Sequence, residues 1–186
     1  MHATFWVIGS NVIDFPDILS STYQSGHQLG CHTWSHPDLL TLTDDQVIAE
    51  LVYGVKAIQE VTGIVPKYFR PPYGSVDARV QTLAASMGLT SVTWTVDTLD
   101  WSDVGFGNIT LVPQAFQGWL DQNITLPISL EHDLFPDTVS VVKQSMDLLI
   151  KAGRVIKPVA ECIGDADPYG NTILKDFFAS GLFESK

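Results

Sequence analysis

Gly30-Cys31-His32-Thr33-Trp34-Ser35-His36-Pro37 follows the short run Gln28-Leu29 and closes on a proline. It holds two of the chain's five histidines, four residues apart. A strand that stops and turns here carries both imidazoles to one mouth, and neutral imidazole is a common ligand for zinc and its neighbours. The same pair, taken alone, also reads as ordinary loop or core histidines. Three further segments stand in the same place in the local pattern, each just after an apolar run. They are Arg70-Pro71-Pro72-Tyr73-Gly74, Asp97-Thr98-Leu99-Asp100-Trp101 and Leu130-Glu131-His132-Asp133.

Outward from that stretch the chain reads as repeated strand-then-helix units. Ala3 to Ile8 is rich in β-formers; Gly9-Ser10-Asn11 and a helical stretch from about Asp14 to Gln24, closed by Gly26, follow it. Gln28 to Cys31 is the next strand. Thr43 and Gln46 form a capping-box pair, and Ile48, Leu51, Val52, Val55 and Ile58 give the ensuing helix one apolar face that ends at Gly63. Lys67 to Phe69 reads as a short strand, Asp77 to Met87 as a helix stopped by Gly88, and Thr90 to Val96 as a strand of β-branched and aromatic residues. Leu111 to Leu120 is helical, Pro127 to Leu130 a strand, Thr138 to Ala152 a helix ended by Gly153, and Val155-Ile156 the start of a last strand. After Asp165 only Ile173 to Phe178 has an apolar pattern, so residues 1–165 read as one domain and 166–186 as a tail packed on it. This alternation predicts an α/β fold with parallel strands and crossover helices. No Gly-x-Gly-x-x-Gly follows any strand, which disfavours a nucleotide-binding doubly wound sheet. The motifs fall at carboxyl ends of strands, where β/α barrels gather their catalytic residues.

The 186 residues are 45% hydrophobic and 17% charged, enough for a sizeable core and unlike a disordered chain. No apolar run is long enough to span a bilayer. A net charge of -11 leaves no basic face to neutralise phosphates, which argues against nucleic acid. Two sequons occur, Asn108-Ile109-Thr110 and Asn123-Ile124-Thr125, and the N-terminus lacks the pattern of a signal peptide. The chain therefore reads as a mature or truncated form of a secreted protein, or as intracellular. Cys31 and Cys162 can pair only if the fold brings them together. Strand alternation turns Cys31 away from His32, as a packed thiol behind the mouth, and both cysteines are expected free.

His32-Thr33-Trp34-Ser35-His36, Arg70-Pro71-Pro72-Tyr73, Asp97 to Trp101 and Leu130 to Asp133, in this order, resemble the motifs of the NodB-type polysaccharide deacetylases, carbohydrate esterase family 4, with fungal chitin deacetylases nearest in appearance. The resemblance runs from about Ala3 to Asp165. It implies a distorted (β/α) barrel and metal-assisted removal of acetyl from N-acetylglucosamine units of chitin or chito-oligosaccharides. It implies a divalent metal, zinc first, on His32 and His36. His132 would protonate the departing amine, with Asp97 orienting its imidazole, and the backbone N–H of Tyr73 would serve as an oxyanion donor. Trp101 and Leu130 would wall the acetyl methyl, and Trp34, Tyr73 and Trp101 would offer faces to sugar. Arg70 belongs to the same catalytic set. The resemblance, with the two sequons, also implies a secreted or cell-wall protein. Singly, each residue has an ordinary reading: Asp97 and Asp100 as turn formers, Trp101 as core, Arg70 as a surface charge, His132 as a buried structural histidine.

Relatives begin with a strand ending Thr-Phe-Asp-Asp-Gly-Pro, whose aspartates act as base and third metal ligand. No Asp-Asp-Gly occurs in these residues; Asp44-Asp45 is followed by Gln46. The expectation is a barrel without its first strand, with Arg70 finding Asp97, solvent or another partner, and Cys162 without an upstream mate. Asp38 and Asp100 are the acids placed nearest the mouth. Deacetylation is then weak or lost, the second possibility being a non-catalytic relative that binds chitin. A glycosidase ranks last, since no second carboxylate is clearly placed opposite the Asp97–Asp100 loop.

Overall fold

Residues 1–102 and 108–183 are described by a computed structural model of the chain. They form two compact units, residues 1–93 with 157–186, and residues 94–156 between them in sequence.

The first unit is built on a four-stranded parallel sheet in the order β1-β2-β3-β4. Its strands are β1 (Thr4–Val7), β2 (Gln28–Cys31), β3 (Tyr68–Phe69) and β4 (Thr90–Ser91). Between β1 and β2 run α1 (Gly9–Asp14) and α2 (Pro16–Gln24). The helix expected from about Asp14 to Gln24 is α2, and Gly9-Ser10-Asn11 opens a further helix, α1, ahead of it. Proline at the first position of α2 lacks the N–H that would continue α1, so the chain breaks at Phe15 and restarts. β2 keeps its expected bounds and is buried throughout. Trp6 lies so close across β2 that a Cβ on Gly30 would sit 2.4 Å from its ring, so this position needs glycine.

The long α3 (Asp44–Thr62) starts on the expected capping box of Thr43 and Gln46 and stops at Gly63, whose φ of 75° is left-handed. Val47, Leu51, Val55 and Ile58 on its inner face are fully buried with Leu29, Cys31 and Phe69 of the sheet. Burying each such side chain contributes roughly 1.5–3 kcal/mol. α4 (Ala78–Ser86) starts on the Asp77 carboxylate, which accepts from the Val80 N–H. Burial pushes the Cys31 thiol up to about 12, and both Cys31 and Cys162 are free, as expected.

The run Thr90 to Val96 is not one strand. Ser91 pairs with Phe69, Val92 still donates to the Phe69 carbonyl, and the chain then leaves the sheet. β-Propensity marks the run but cannot say which partner each end finds. Its far end, β5 (Val96–Asp97), pairs in parallel with β6 (Ser129–Leu130) in the second unit, aligning Asp97 with Leu130. α5 (Leu111–Asp121) and α6 (Pro136–Lys151) pack there through Val112, Phe116 and Val141.

Val155 and Ile156 are irregular and not a strand: Pro158 follows and caps α7 (Val159–Ile163). α8 (Thr172–Ala179) begins on Asn171 and buries Leu174 and Phe178 in the first unit's core. The segment before it is tied to β3. Lys67 Nζ lies 2.7 Å from Asp165, and the Tyr68 hydroxyl donates to the same carboxylate. Lys67 and Tyr68 together hold the Asp165 carboxyl at about 2, well below its ordinary value. Since the folded value is the lower one, this contribution is complete above about pH 4 and is lost as pH falls toward 2. Asp165→Asn is therefore expected to flatten the fall of Tm between those limits relative to the parent. Parallel acid melts of the two proteins measure this, and superimposable slopes count against it. No helix among the described residues is long and apolar enough to cross a membrane.

Candidate functional site

The motif residues fall into two groups, one in each unit. In the first, parallel register sets Val7, Cys31 and Phe69 side by side, so the residues just beyond the strand ends are neighbours. His32 Nδ1 lies 2.7 Å from the Arg70 carbonyl oxygen. That oxygen can only accept, so Nδ1 carries the proton and a neutral ring keeps its lone pair on Nε2. The His32 and His36 rings stand 4.6 Å apart, edge to face, and the Tyr73 ring lies 4.9 Å from that of His36.

The backbone between the histidines is strained. Thr33 and His36 have φ of 66° and 63°, and Tyr73 has 59°. Non-glycine residues in this region cost about 1–3 kcal/mol each and persist only where their surroundings hold them. Here Thr33 Oγ1 accepts from the His36 N–H, and the Thr33 and Trp34 carbonyls accept from Gly9 and Ser10 of α1. The carboxylate of Glu50 on α3 accepts from the Trp34 N–H at 2.9 Å, the Ser35 N–H at 2.8 Å and the Ser35 hydroxyl at 2.6 Å. Glu50 was invisible to the sequence reading: one acid on a mixed helix face carries no signal of a loop on another element. Trp34 packs on the core beside Tyr53, a position that explains its ring without sugar. Asp38 accepts from the Leu40 N–H and caps a turn.

Arg70 is buried. Within its unit, Nε donates to the Val92 carbonyl at 3.4 Å, and the guanidinium sits 4.8 Å from the Trp6 ring centre. A desolvated guanidinium over an aromatic face is favourable.

In the second unit the pairing of β5 with β6 brings the following loops together. Thr98 Oγ1 donates to the Leu130 carbonyl at 3.0 Å. The imidazole of His132 is oriented by Asp100 and not, as expected, by Asp97. Asp100 Oδ1 lies 2.8 Å from His132 Nδ1, and Oδ2 accepts from the His132 N–H at 2.6 Å. Asp97 is turned onto its own loop, accepting from the Leu99 N–H at 2.8 Å and from Trp101 Nε1 at 3.5 Å. Asp97 closes a local turn across two residues while the φ of 56° at Leu99 swings the chain, and Asp100 is carried inward to 1% exposure. Trp101 is half exposed and Leu130 is buried.

The donor set on the first unit fits an ion of zinc's kind as two imidazole nitrogens, one with its tautomer set by a backbone carbonyl, an arrangement usual for metal-ligating histidine. Among the described residues no three His, Cys, Asp or Glu gather as a ligand group.

Residues 1–92 match the family model described as polysaccharide deacetylase. Chitin deacetylase 1 of Cryptococcus neoformans var. grubii serotype A is 36% identical over 181 residues, covering 88% of this chain and 38% of that protein. The chitin deacetylase of Amylomyces rouxii is 37% identical over 175 residues, covering 91% and 41%. The chain thus spans about two fifths of the length of these relatives. The solved structure of the chitin deacetylase from Colletotrichum lindemuthianum superposes with a TM-score of 0.80 at 32% identity, covering 89% of this chain and 76% of that one.

Proposed function

The chain belongs to the polysaccharide deacetylase family, carbohydrate esterase family 4, and shares its α/β fold. From that premise we propose that it removes acetyl groups from N-acetylglucosamine units of chitin or its oligomers, with a divalent ion, zinc by preference, on His32 and His36. The observation that carries this reading is the histidine pair itself: two rings 4.6 Å apart on a braced turn, with the His32 lone pair fixed at Nε2 by the Arg70 carbonyl.

Held there by His32 and His36, such an ion would supply polarisation of the acetyl carbonyl and a more acidic water. In this reading water adds to the carbonyl carbon as it gives up a proton to solvent, and the C–N bond breaks, leaving acetate and a free amine. The Tyr73 N–H donates to the oxygen that becomes negative. His132, its Nδ1–H held by Asp100, passes a proton from Nε2 to the departing nitrogen, and the Asp100 carboxylate stabilises the imidazolium. In this reading Trp101, through its half-exposed ring, and Leu130 would wall the acetyl methyl. Arg70 acts through its carbonyl, by aiming His32. Two exposed sequon asparagines, Asn108 and Asn123, support a secreted or cell-wall setting.

The 186 residues contain no Asp-Asp-Gly. The rate proposed for these residues by themselves is accordingly low. The same observation favours a second reading, a chitin-binding relative without catalysis. Incubating the 186-residue protein and zinc with the N-acetylglucosamine hexamer separates them. Slow acetate release with the hexamer's length unchanged supports deacetylation. Binding with no acetate selects the second reading, and shortened oligomers contradict both.

A further inference from the structure

We propose that Glu50 is a positioning residue, whose carboxylate sets the spacing and aim of the His32 and His36 imidazoles. The inference rests on the metal-binding reading of that pair and assigns the device that makes it.

The four-residue step from His32 to His36 places two non-glycine residues in the left-handed region, one at each side of Trp34-Ser35. The sequence supplies neither glycine nor asparagine there, so intrinsic preference opposes the turn. Its shape must come from outside bonds. Two backbone N–H groups in the middle of the turn point the same way and converge on one oxygen, Oε2 of Glu50, while Oε1 takes the Ser35 hydroxyl. Hydrogen bonds to a charged acceptor are roughly twice as strong as neutral ones. Three on one carboxylate brace the middle of the turn. The opposite side is held by the Gly9 and Ser10 N–H groups on the Thr33 and Trp34 carbonyls.

Close approach makes this possible. Gly54 follows Glu50 by one helical turn, and a Cβ there would stand 2.8 Å from the Thr33 carbonyl oxygen and 2.7 Å from Cys31 Sγ. A glycine inside a helix weakens it relative to alanine. Here it lets α3 lie against the turn, within reach of the Glu50 side chain. Glu50 bonds the backbone between the two rings, so its loss frees their separation without removing a donor nitrogen.

The test measures zinc binding by calorimetry in the parent, Glu50→Ala, Glu50→Gln and His32→Ala, with Tm in chelator recorded for each. Partners behind metal ligands typically contribute 10–100-fold to affinity. Glu50→Ala is expected to weaken zinc binding by that factor. Glu50→Gln, which keeps one acceptor oxygen, is expected to recover part of it, with Tm near the parent. If alanine does not fold, the glutamine variant alone decides, by an affinity below the parent's at equal Tm. Equal affinities in the parent and the folded Glu50 variants, with His32→Ala defective, overturn the positioning role and leave the metal reading standing. A parent that binds no zinc overturns the metal reading and this inference with it.

Discussion

Asp100→Asn lowers acetate release by about 10²–10⁴-fold, the usual worth of a general acid, whereas Asp97→Asn costs no more than about tenfold. The contrast follows from what each carboxylate holds. Asp100 accepts two N–H groups from one residue, the ring Nδ1–H and the backbone N–H of His132, on separate oxygens. An asparagine has one oxygen and one NH2 for those two donors. Either the backbone N–H meets a second donor, or the ring turns its proton to Nε2 and presents Nδ1 as acceptor. In the second case the nitrogen meant to pass a proton no longer has the correct partner behind it, and an imidazolium formed there faces no negative charge. Asp100 is buried, so water cannot replace the lost carboxylate. Asp97 holds the Leu99 N–H, a bond that an asparagine oxygen makes equally well. Labelled acetate released from the hexamer over long incubation, with melting curves as a check on folding, measures both variants. A larger loss for Asp97→Asn would return the orienting role to Asp97.

His32→Ala is expected to reduce zinc affinity by at least about 100-fold. Two imidazoles give a chelate whose second bond forms at high effective concentration; one imidazole gives an ordinary surface histidine. Protons compete for the same nitrogens, so affinity falls at acid pH and binding releases protons to the buffer. Calorimetry in two buffers of different ionisation enthalpy reads affinity and proton release together. Equal binding by parent and variant would remove His32 from the site.

Local chemistry was the legible part of this chain. The Thr43–Gln46 capping box, the Gly63 and Gly88 stops and the Gln28–Cys31 strand depend on residues within a few positions of one another, and all stand as read. The two-helix break at Phe15–Pro16 was legible in principle, from the proline alone. The Thr90–Val96 run was not, because propensity does not disclose that its two ends pair with Tyr68 and with Ser129. The site divides the same way. His32 and His36 announce themselves by spacing, and His132 by the segment around it. Whether Asp97 or Asp100 backs His132 turns on one left-handed residue, Leu99, that no pattern marks. Glu50 reaches the site from another element, and contact between elements leaves no trace in a single sequence.

The first unit is discontinuous along the chain, and synthesis proceeds from one end. Residues 1–93 leave the ribosome early, yet their partners in residues 157–186 follow only after 94–156 have emerged. Those late residues are not ornament. Asn171 bonds the Pro66 and Met87 carbonyls, Ala160 donates to Gln28, and Leu174 and Phe178 fill the core beside α3. Until α8 arrives, the nascent sheet holds an open apolar face and unmet carbonyls, a form inviting chaperones and proteases. The contacts that close it join residues about a hundred positions apart, the long-range kind that slows folding. Ribosome-stalled chains should therefore gain protease resistance in the first unit only once residue 178 has cleared the exit tunnel, however early its strands are made.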